Sequence, residues 1–440
     1  MIVVRLLKLL NEFLENDMTS NNNLNVEKIK AEVSKNVPEL RFQGFIDAWE
    51  LRKLDSLATF SKGSGYSKRD LVEEGSPIIL YGRLYTKYET LIKDVDTFVV
   101  PKGNSTISEG NEVIVPASGE TSEDISRAAV VDKSGILMGG DLNIIKPKSN
   151  LNSVFLAFTI SNGSQQKELS KRAQGNSVVH LYNSELKKVN LLFPSLEEQK
   201  IIGSFFIHLD HLITLHQRKL DKLKRLKQGY LQQLFPKNDK KVPRIRFANF
   251  EGDWKQSLLG EVLNEKNVQH PQNEEYPLVS FTVEKGVTPK TDRYEREQLV
   301  KGDKVAKKYK ATELDDIVYN PANLKFGAIA RNKYGKAVFS PIYVTFRVNE
   351  ELAYPSFVEK FVTRRDFIQY SLQYQQGTVY ERQSVSPEDL LSLRMPLPNK
   401  EEQVKIGSFF SHLDSLITLH QSKLDNMKLI KQALLQKMFI

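Results

Sequence analysis

EEQKIIGSFFIHLDHLITLHQRKLDKLKRLKQGYLQQLFP at 197–236 and EEQVKIGSFFSHLDSLITLHQSKLDNMKLIKQALLQKMFI at 401–440 agree at about 26 of 40 positions without a gap. Agreement of that density establishes an internal duplication, and no other feature constrains the fold as tightly. The duplication also has a beginning. VPELRF…F…W (Val37–Trp49) returns as VPRIRF…F…W (Val242–Trp254), displaced by 205 residues, against 204 at the later segments. The repeating unit is a variable stretch of roughly 150 residues followed by a near-constant one of roughly 40.

The constant segment carries a heptad seam. Ile202, Phe206, Leu209, Ile213, His216, Leu220, Leu223, Lys227, Tyr230 and Leu234 are spaced alternately by four and three. Ile406, Phe410, Leu413, Ile417, His420, Leu424, Met427, Lys431, Leu434 and Met438 repeat those steps. Leu212, Leu215 and Leu226 widen the stripe, which predicts more than one neighbour per helix. Ser195 with Glu198, and Asn399 with Glu402, have capping-box spacing just after Pro194 and Pro398. Two like helices in one chain have an evident mate in each other. The long connection permits antiparallel pairing about a pseudo-twofold axis. At 1.5 Å per residue the resulting rod is about 60 Å long.

The variable stretches hold short β-rich runs punctuated by Gly, Pro and Asn, such as SPIILYGRLYTKY, EVIVPASG and GKAVFSPIYVTFRV. Helical patterns interleave at VFLAFTISNGSQQKEL and PSFVEKFVTRRDFIQYSLQ, and each stretch closes on an alternating strand, Val189-Leu191-Phe193 and Leu393-Met395-Leu397. The reading is α+β: two globular modules separated by two long antiparallel coiled-coil helices. The segments are an extension over 1–36, a module over 37–195, a helix over 196–236, a module over 237–398 and a helix over 399–440. The extension opens with an amphipathic pattern interrupted by Arg5 and Lys8 and is not read as a signal peptide; it is either a helix packed on the body or an appendage ahead of a second start at Met18, and no function is assigned to it.

Catalytic motifs are missing. There is no GxxxxGK[ST] loop for ATP. YNPANL at 319–324 shares only Asn-Pro with the adenine-methyltransferase motif, and is read as a turn between strands whose Asn320 and Asn323 face bases. His208 and His211 have helical spacing, but the second copy has Ser415 at the latter position and no cysteine exists, so no metal site is expected. His216 and His420 read as seam histidines. The cysteine-free composition suits a reducing cytoplasm, and no run of 18 apolar residues predicts a membrane span.

A formal charge of +9 favours a polyanionic partner. The first module interleaves cations with tyrosines at Lys62, Lys68, Arg69, Tyr81, Arg83, Tyr85 and Lys87, and carries Lys171, Arg172, Gln174, Asn176 and Ser177 around AQGNS. The second has Lys304, Lys307, Lys308 and Lys310, then Asn320, Asn323 and Lys325, then Gln376, Thr378, Tyr380 and Arg382 around QQGTVYER. Cations of this kind hold phosphates, and Arg, Asn, Gln and Ser read base edges. A Gly-centred loop recurs at nearly equivalent positions, AQGN and QQGT.

With these motifs in place, the chain resembles the DNA-specificity subunit of type I restriction-modification enzymes. The resemblance is carried by both copies of P-x-x-EEQ-x-x-IGSFF-x-HLD-x-LITLHQ-x-KL, by AQGNSVVHLYNSELKKVNLLFP, by VPxxRFxxF…W and by KGSGYSKRDLVEEGSPIILYG, spanning 37–440. It implies two target-recognition domains, each reading one half of a split, asymmetric site in double-stranded DNA. It further implies helices that serve as spacer and as docking surface for two methylation subunits, with motor-nuclease subunits completing the complex. S-adenosylmethionine, ATP and magnesium then serve those partners, and this chain binds none of them and is not itself an enzyme. At 3.4 Å per base pair, a rod of about 60 Å sets an upper span near 17 base pairs. Two other classes stay open on the residues alone: a methyltransferase or nuclease with an unrecognised site, and a coiled-coil scaffold that binds only proteins.

Overall fold

The computed structural model describes residues 36–175, 178–237, 240–289, 308–377 and 383–439, so most of the extension lies outside the described residues. The chain divides into two compact units, one formed by residues up to 217 together with 422–440, the other by 218–421. Both long helices are present, Leu196–Gln233 and Lys400–Met438, and the unit boundaries pass through them. Each unit therefore holds the first half of one helix and the second half of the other.

Within each unit the halves run antiparallel. In the first, the Phe206 ring meets Phe439 and Asp210 pairs with Lys431, so the index falls along one helix as it rises along the other. In the second, Phe410 meets Phe235 and Asp414 pairs with Lys227. These are the same repeat positions with the copies exchanged, so the duplication extends to the helix packing inside each unit. The seam is buried at Ile202, Phe206, Leu209, His216, Leu220 and Leu234, and at Ile406, Phe410, Leu413, His420, Leu424, Met427, Leu434 and Met438. Leu215 and Leu226 do not join a core: they are 52% and 39% exposed.

The near-constant EEQ is explained by burial. Glu198 has no exposed surface, and its carboxylate accepts from Arg41 Nε at 2.6 Å and Nη2 at 2.7 Å. Glu402, equally buried, accepts from Arg246 Nε and Nη2, both at 2.8 Å. The arginines come from the repeated VPxxRF. The glutamine that follows fastens each module to its helix. Gln199 accepts from the Asn152 amide at 2.8 Å and donates to the Pro194 carbonyl at 2.8 Å. Gln403 treats Tyr354 and Pro398 in the same way, both at 2.9 Å. Only half of each expected capping box forms. Glu198 N donates to Ser195 Oγ and Glu402 N to Asn399 Oδ1, but the glutamate side chains turn to the arginines, where a charge-assisted pair replaces the return bond. The glycine of IGSFF marks the crossing point. A Cβ on Gly203 would lie 3.1 Å from Val154, and one on Gly407 would overlap the Ser356 hydroxyl.

The first module is built on a five-stranded sheet in the order Ala58–Lys62, Leu142–Pro147, Glu112–Pro116, Ala129–Val131, Leu91–Ile92. A smaller sheet contains Leu71–Val72, Ser76–Ile79, Phe98–Val99 and Leu137–Met138. In the second module Leu263–Glu265, Val344–Val348, Ile317–Tyr319 and Ile329–Arg331 form the central sheet, beside a three-stranded one. Each module closes by pairing its first and last strands, Glu50–Lys53 with Asn190–Phe193 and Lys255–Leu258 with Arg394–Leu397. These closing strands do not alternate as expected. Leu191, Leu192 and Phe193 are all buried, because the strand leads directly into the helix and is covered on both faces. VFLAFTISNGSQQKEL gives two helices, Ser153–Ser161 and Gly163–Arg172, since Asn162 is extended and Gly163 has φ +68°. One tryptophan anchors each core, Trp49 against Phe155 and Trp254 against Phe235 and Phe357.

Candidate nucleic-acid interface

The end of the five-stranded sheet where Ala58–Lys62 and Glu112–Pro116 finish, and where Leu142–Pro147 begins, opens into a cleft of about 1480 Å³. Six stretches meet there, around Lys68, Tyr81–Lys87, Asp96 and Thr97, Ser118–Arg127, Gly139–Asp141 and Val178.

The KGSGYSKRD segment presents its cations by fixing everything else. Tyr66 is buried, its hydroxyl bonded to Ser105 and accepting from the Lys102 amide at 2.6 Å. Ser67 and Asp70 form a full capping box around the 3₁₀ turn Lys68–Asp70, and Lys102 Nζ donates to Asp70 at 2.7 Å. That lysine holds the Asp70 carboxyl well down, to about 2, so the tether is complete above the ordinary carboxylate range and is lost only as pH falls through about 2. Lys68 and Arg69 are left exposed, with no carboxylate partner among the described residues. Lys62 is exposed at the strand end, 5.5 Å from the Tyr182 ring.

The tyrosine-rich segment divides. Tyr81 is 39% exposed and meets Tyr85 edge to face. The Tyr85 hydroxyl donates to the Ser118 carbonyl at 2.9 Å, and burial pushes its pKa up, so it stays a donor. Arg83, a DNA contact in the sequence reading, lines the cleft but is largely buried. Its guanidinium donates to Asp96 and Glu89, both at 2.7 Å, and to the Asp94 carbonyl at 3.0 Å. It is an internal brace, because these three partners fold back over it. Lys87 shares Asp96 at 2.7 Å, and Lys87 first and Arg83 second lower that carboxyl to about 2.

Lys171 and Arg172 lie at the end of the second helix of the module and do not line the cleft. Arg172 is held by Glu168 at 2.7 Å and Glu185 at 3.5 Å. Gln174 is exposed on a hairpin bridged to His180, where Gly175 has φ +123°. Asn176 and Ser177 lie outside the described residues. Sequence reasoning missed Arg127, which pairs with Asp124 at 2.7 Å and lies 5.9 Å from the Tyr85 ring, and Glu120 and Asp141, carboxylates that line the cleft without an ion-pair partner among the described residues. The Gly-flanked SGE and GGD were their only signal.

The second unit repeats the frame. The Leu181 amide donates to the Ala117 carbonyl at 3.0 Å in the first, and the Val385 amide to the Pro321 carbonyl at 3.4 Å in the second. Gly377, with φ +122°, matches Gly175. The expected turn at YNPANL is a 3₁₀ segment, Pro321–Phe326, but Asn320 does not face outward. It is buried, and its Oδ1 accepts from the Ala322 and Asn323 amides at 3.1 and 3.3 Å, as a cap does. Asn323 is exposed, Lys325 Nζ lies 5.4 Å from the Phe326 ring, and that ring is 66% exposed. Lys308 is exposed. Lys310 is buried, donates to Asn267 at 3.0 Å and has its pKa lowered by burial, so it is a sheet residue rather than a surface cation. Gln376 is exposed and donates to Asp389 at 2.8 Å. Lys304, Lys307, Thr378, Tyr380 and Arg382 lie outside the described residues. Among the described residues no group of three potential ligands could hold a metal ion.

Equivalent anchors beneath unlike loops define a duplicated protein: two modules of related design that differ in the loops they carry. The chain belongs to the type I restriction modification DNA specificity domain family, whose pattern matches residues 46–225 and 251–429. It is 22% identical over 424 residues to the MjaX type I restriction enzyme specificity subunit of Methanocaldococcus jannaschii, covering 88% of this chain and 92% of that protein. It is 21% identical over 221 residues to the MjaVIII specificity subunit of the same organism, about half of each. The crystal structure of the S subunit of a type I restriction-modification system from M. genitalium has the same fold. Its TM-score is 0.61 at 17% identity, over 92% of this chain and 99% of that one.

Proposed function

We propose that this chain is the specificity subunit of a type I restriction-modification complex in which each module reads one half of a bipartite, asymmetric DNA site. One observation carries the reading: Arg41–Glu198 and Arg246–Glu402 are matching anchors of two modules whose loops differ in sequence. A duplicated frame with diverged loops suits two unlike half-sites. Catalysis then belongs to partners, with S-adenosylmethionine used by two methylation subunits, and ATP and magnesium by motor-nuclease subunits, in the cytoplasm. Exposed Leu215 and its repeat equivalent Leu419, 52% and 50% exposed, offer like apolar contacts to two copies of one partner. No helix among the described residues is long and apolar enough to cross a membrane.

The test is exchange of residues 38–195 for those of another specificity subunit, co-expression with a methylation subunit, and mapping of methylated adenines. The expected outcome is a motif altered in one half only. Methylation unchanged after the exchange would sink the modular reading.

Gly82 gives a second test. It is helical (φ −59°, ψ −22°), and a Cβ there meets nothing within 4 Å, so the fold does not require glycine. Gly82→Ala should raise stability by about 0.4–1 kcal/mol through the unfolded chain. Because Gly82 lines the cleft, the substitution should at the same time weaken DNA binding. Thermal melting and a binding titration on the same protein check the opposite signs.

A further inference from the structure

Among the described residues the cleft of the first module contains five carboxylates, and two of them have no cation partner. Asp70 is held by Lys102, Asp96 by Arg83 and Lys87, and Asp124 by Arg127. Glu120 and Asp141 are exposed and make no ion pair or side-chain hydrogen bond among the described residues. They are not a chance pair of surface residues. The Ala117 amide donates to the Asp141 carbonyl at 2.8 Å, extending the antiparallel pairing of Glu112–Pro116 with Leu142–Pro147. Asp141 thus leads into one strand where Glu120 follows the other, and both stand at the mouth of the same sheet end. Their backbone is fixed: the Tyr85 hydroxyl bonds Ser118, and a Cβ on Gly119 would lie 2.8 Å from that hydroxyl.

An unpaired carboxylate repels phosphates, so in a cleft for a polyanion it raises the energy of every bound duplex. That penalty is offset where a base offers a donor. An ionised carboxylate has only acceptor sites, and in the major groove it pairs with an exocyclic amino group, foremost N4 of cytosine. The acceptors of guanine (N7, O6) and thymine (O4) are rejected in the same place.

We propose that Glu120 and Asp141 are specificity-determining residues, each accepting from an exocyclic amino group in the half-site read by the first module, with cytosine the preferred base. The assignment rests on the reading of the chain as a DNA-recognition subunit. It predicts a combination of effects that solvated surface carboxylates do not produce. Removing the charge strengthens non-specific binding and weakens discrimination at one base pair.

The experiment measures binding of the full-length chain, in complex with a co-expressed methylation subunit, to duplexes randomised in each half-site. Wild type is compared with Glu120→Ala, Glu120→Gln, Asp141→Ala and Asp141→Asn. Each alanine variant should lose roughly tenfold to a hundredfold preference at one position of one half-site, with the other half unchanged and general affinity raised. Glu120→Gln should move that preference toward adenine, whose N6 and N7 match an amide. Melting temperatures should not change, since neither side chain has a side-chain partner among the described residues. General affinity raised while every base preference stays intact would overturn the assignment and leave the subunit's function standing. Absence of sequence preference in the unsubstituted complex would instead remove the parent reading, and the assignment with it.

Discussion

Removing residues 422–440 abolishes the cooperative unfolding of the first unit while that of the second persists. This outcome is expected because the last helical turns belong to the core of the first module, more than 200 residues upstream. Ile430, Leu434, Met438 and Phe439 are buried in the same cluster as Trp49, Phe155, Phe158 and Phe206. The Phe439 ring lies 5.7 Å from Phe155 and 5.8 Å from Phe206, and the Leu40 amide donates to the Lys437 carbonyl at 3.0 Å. The truncation exposes all of this apolar surface at once. Phe439→Ala alone should cost about 3–5 kcal/mol by loss of transfer energy and the cavity left behind. Its repeat equivalent, Phe235→Ala, should cost a similar amount in the second unit, where that ring meets Trp254 and Phe357. The chain has two tryptophans, one buried in each unit, so they report separately. A Trp254→Phe background leaves Trp49 to follow the first unit, and Trp49→Phe leaves Trp254 for the second. An unaltered Trp49 transition after truncation would show that the first core closes without the last helix.

The helices were legible because the repeat supplied a second reading of each position. Ser415 opposite His211 removed a metal site, and matched four-three spacing in both copies identified a seam. The frame was legible for the same reason: Trp49 and Trp254 could be placed by their repeat positions alone. What the sequence concealed was long-range capture. Glu198 reads locally as the third residue of a capping box, yet a guanidinium 157 residues away outcompetes a backbone amide for it. Arg83 sits in a run of cations and tyrosines that resembles a binding surface, and nothing local shows that Glu89 and Asp96 turn back upon it. Asn320 has the composition of a base reader and the position of a cap. Lys310 is one residue from a buried tyrosine in a strand whose far face is also covered, so alternation gave no warning. The cleft itself is assembled from six stretches, and only two of them carried a compositional signal.

The anchors make a second large prediction, with a sign that separates two accounts of why EEQ is nearly constant. Glu402→Ala leaves Arg246 without its carboxylate, and Glu198→Ala does the same to Arg41. Both carboxylates are wholly buried, while the arginine side chains are 14% and 5% exposed. Breaking one partner of a buried pair costs about 3–5 kcal/mol, much of it the penalty on the charge left behind. The more deeply buried Arg41 should therefore suffer more than Arg246. Replacing both members by apolar residues of similar size removes the stranded charge, so Arg41→Met with Glu198→Met should recover much of the loss, and Arg246→Met with Glu402→Met likewise. Denaturant midpoints followed through the tryptophan of each unit give both values. Recovery would mean that the pair contributes orientation more than stability, fixing how the module is seated on its helix. The stable double variant would then fold and yet, in complex with a co-expressed methylation subunit, direct methylation of its site poorly. A double variant as unstable as the single one would mean instead that the two hydrogen bonds, and not the stranded charge, account for the loss.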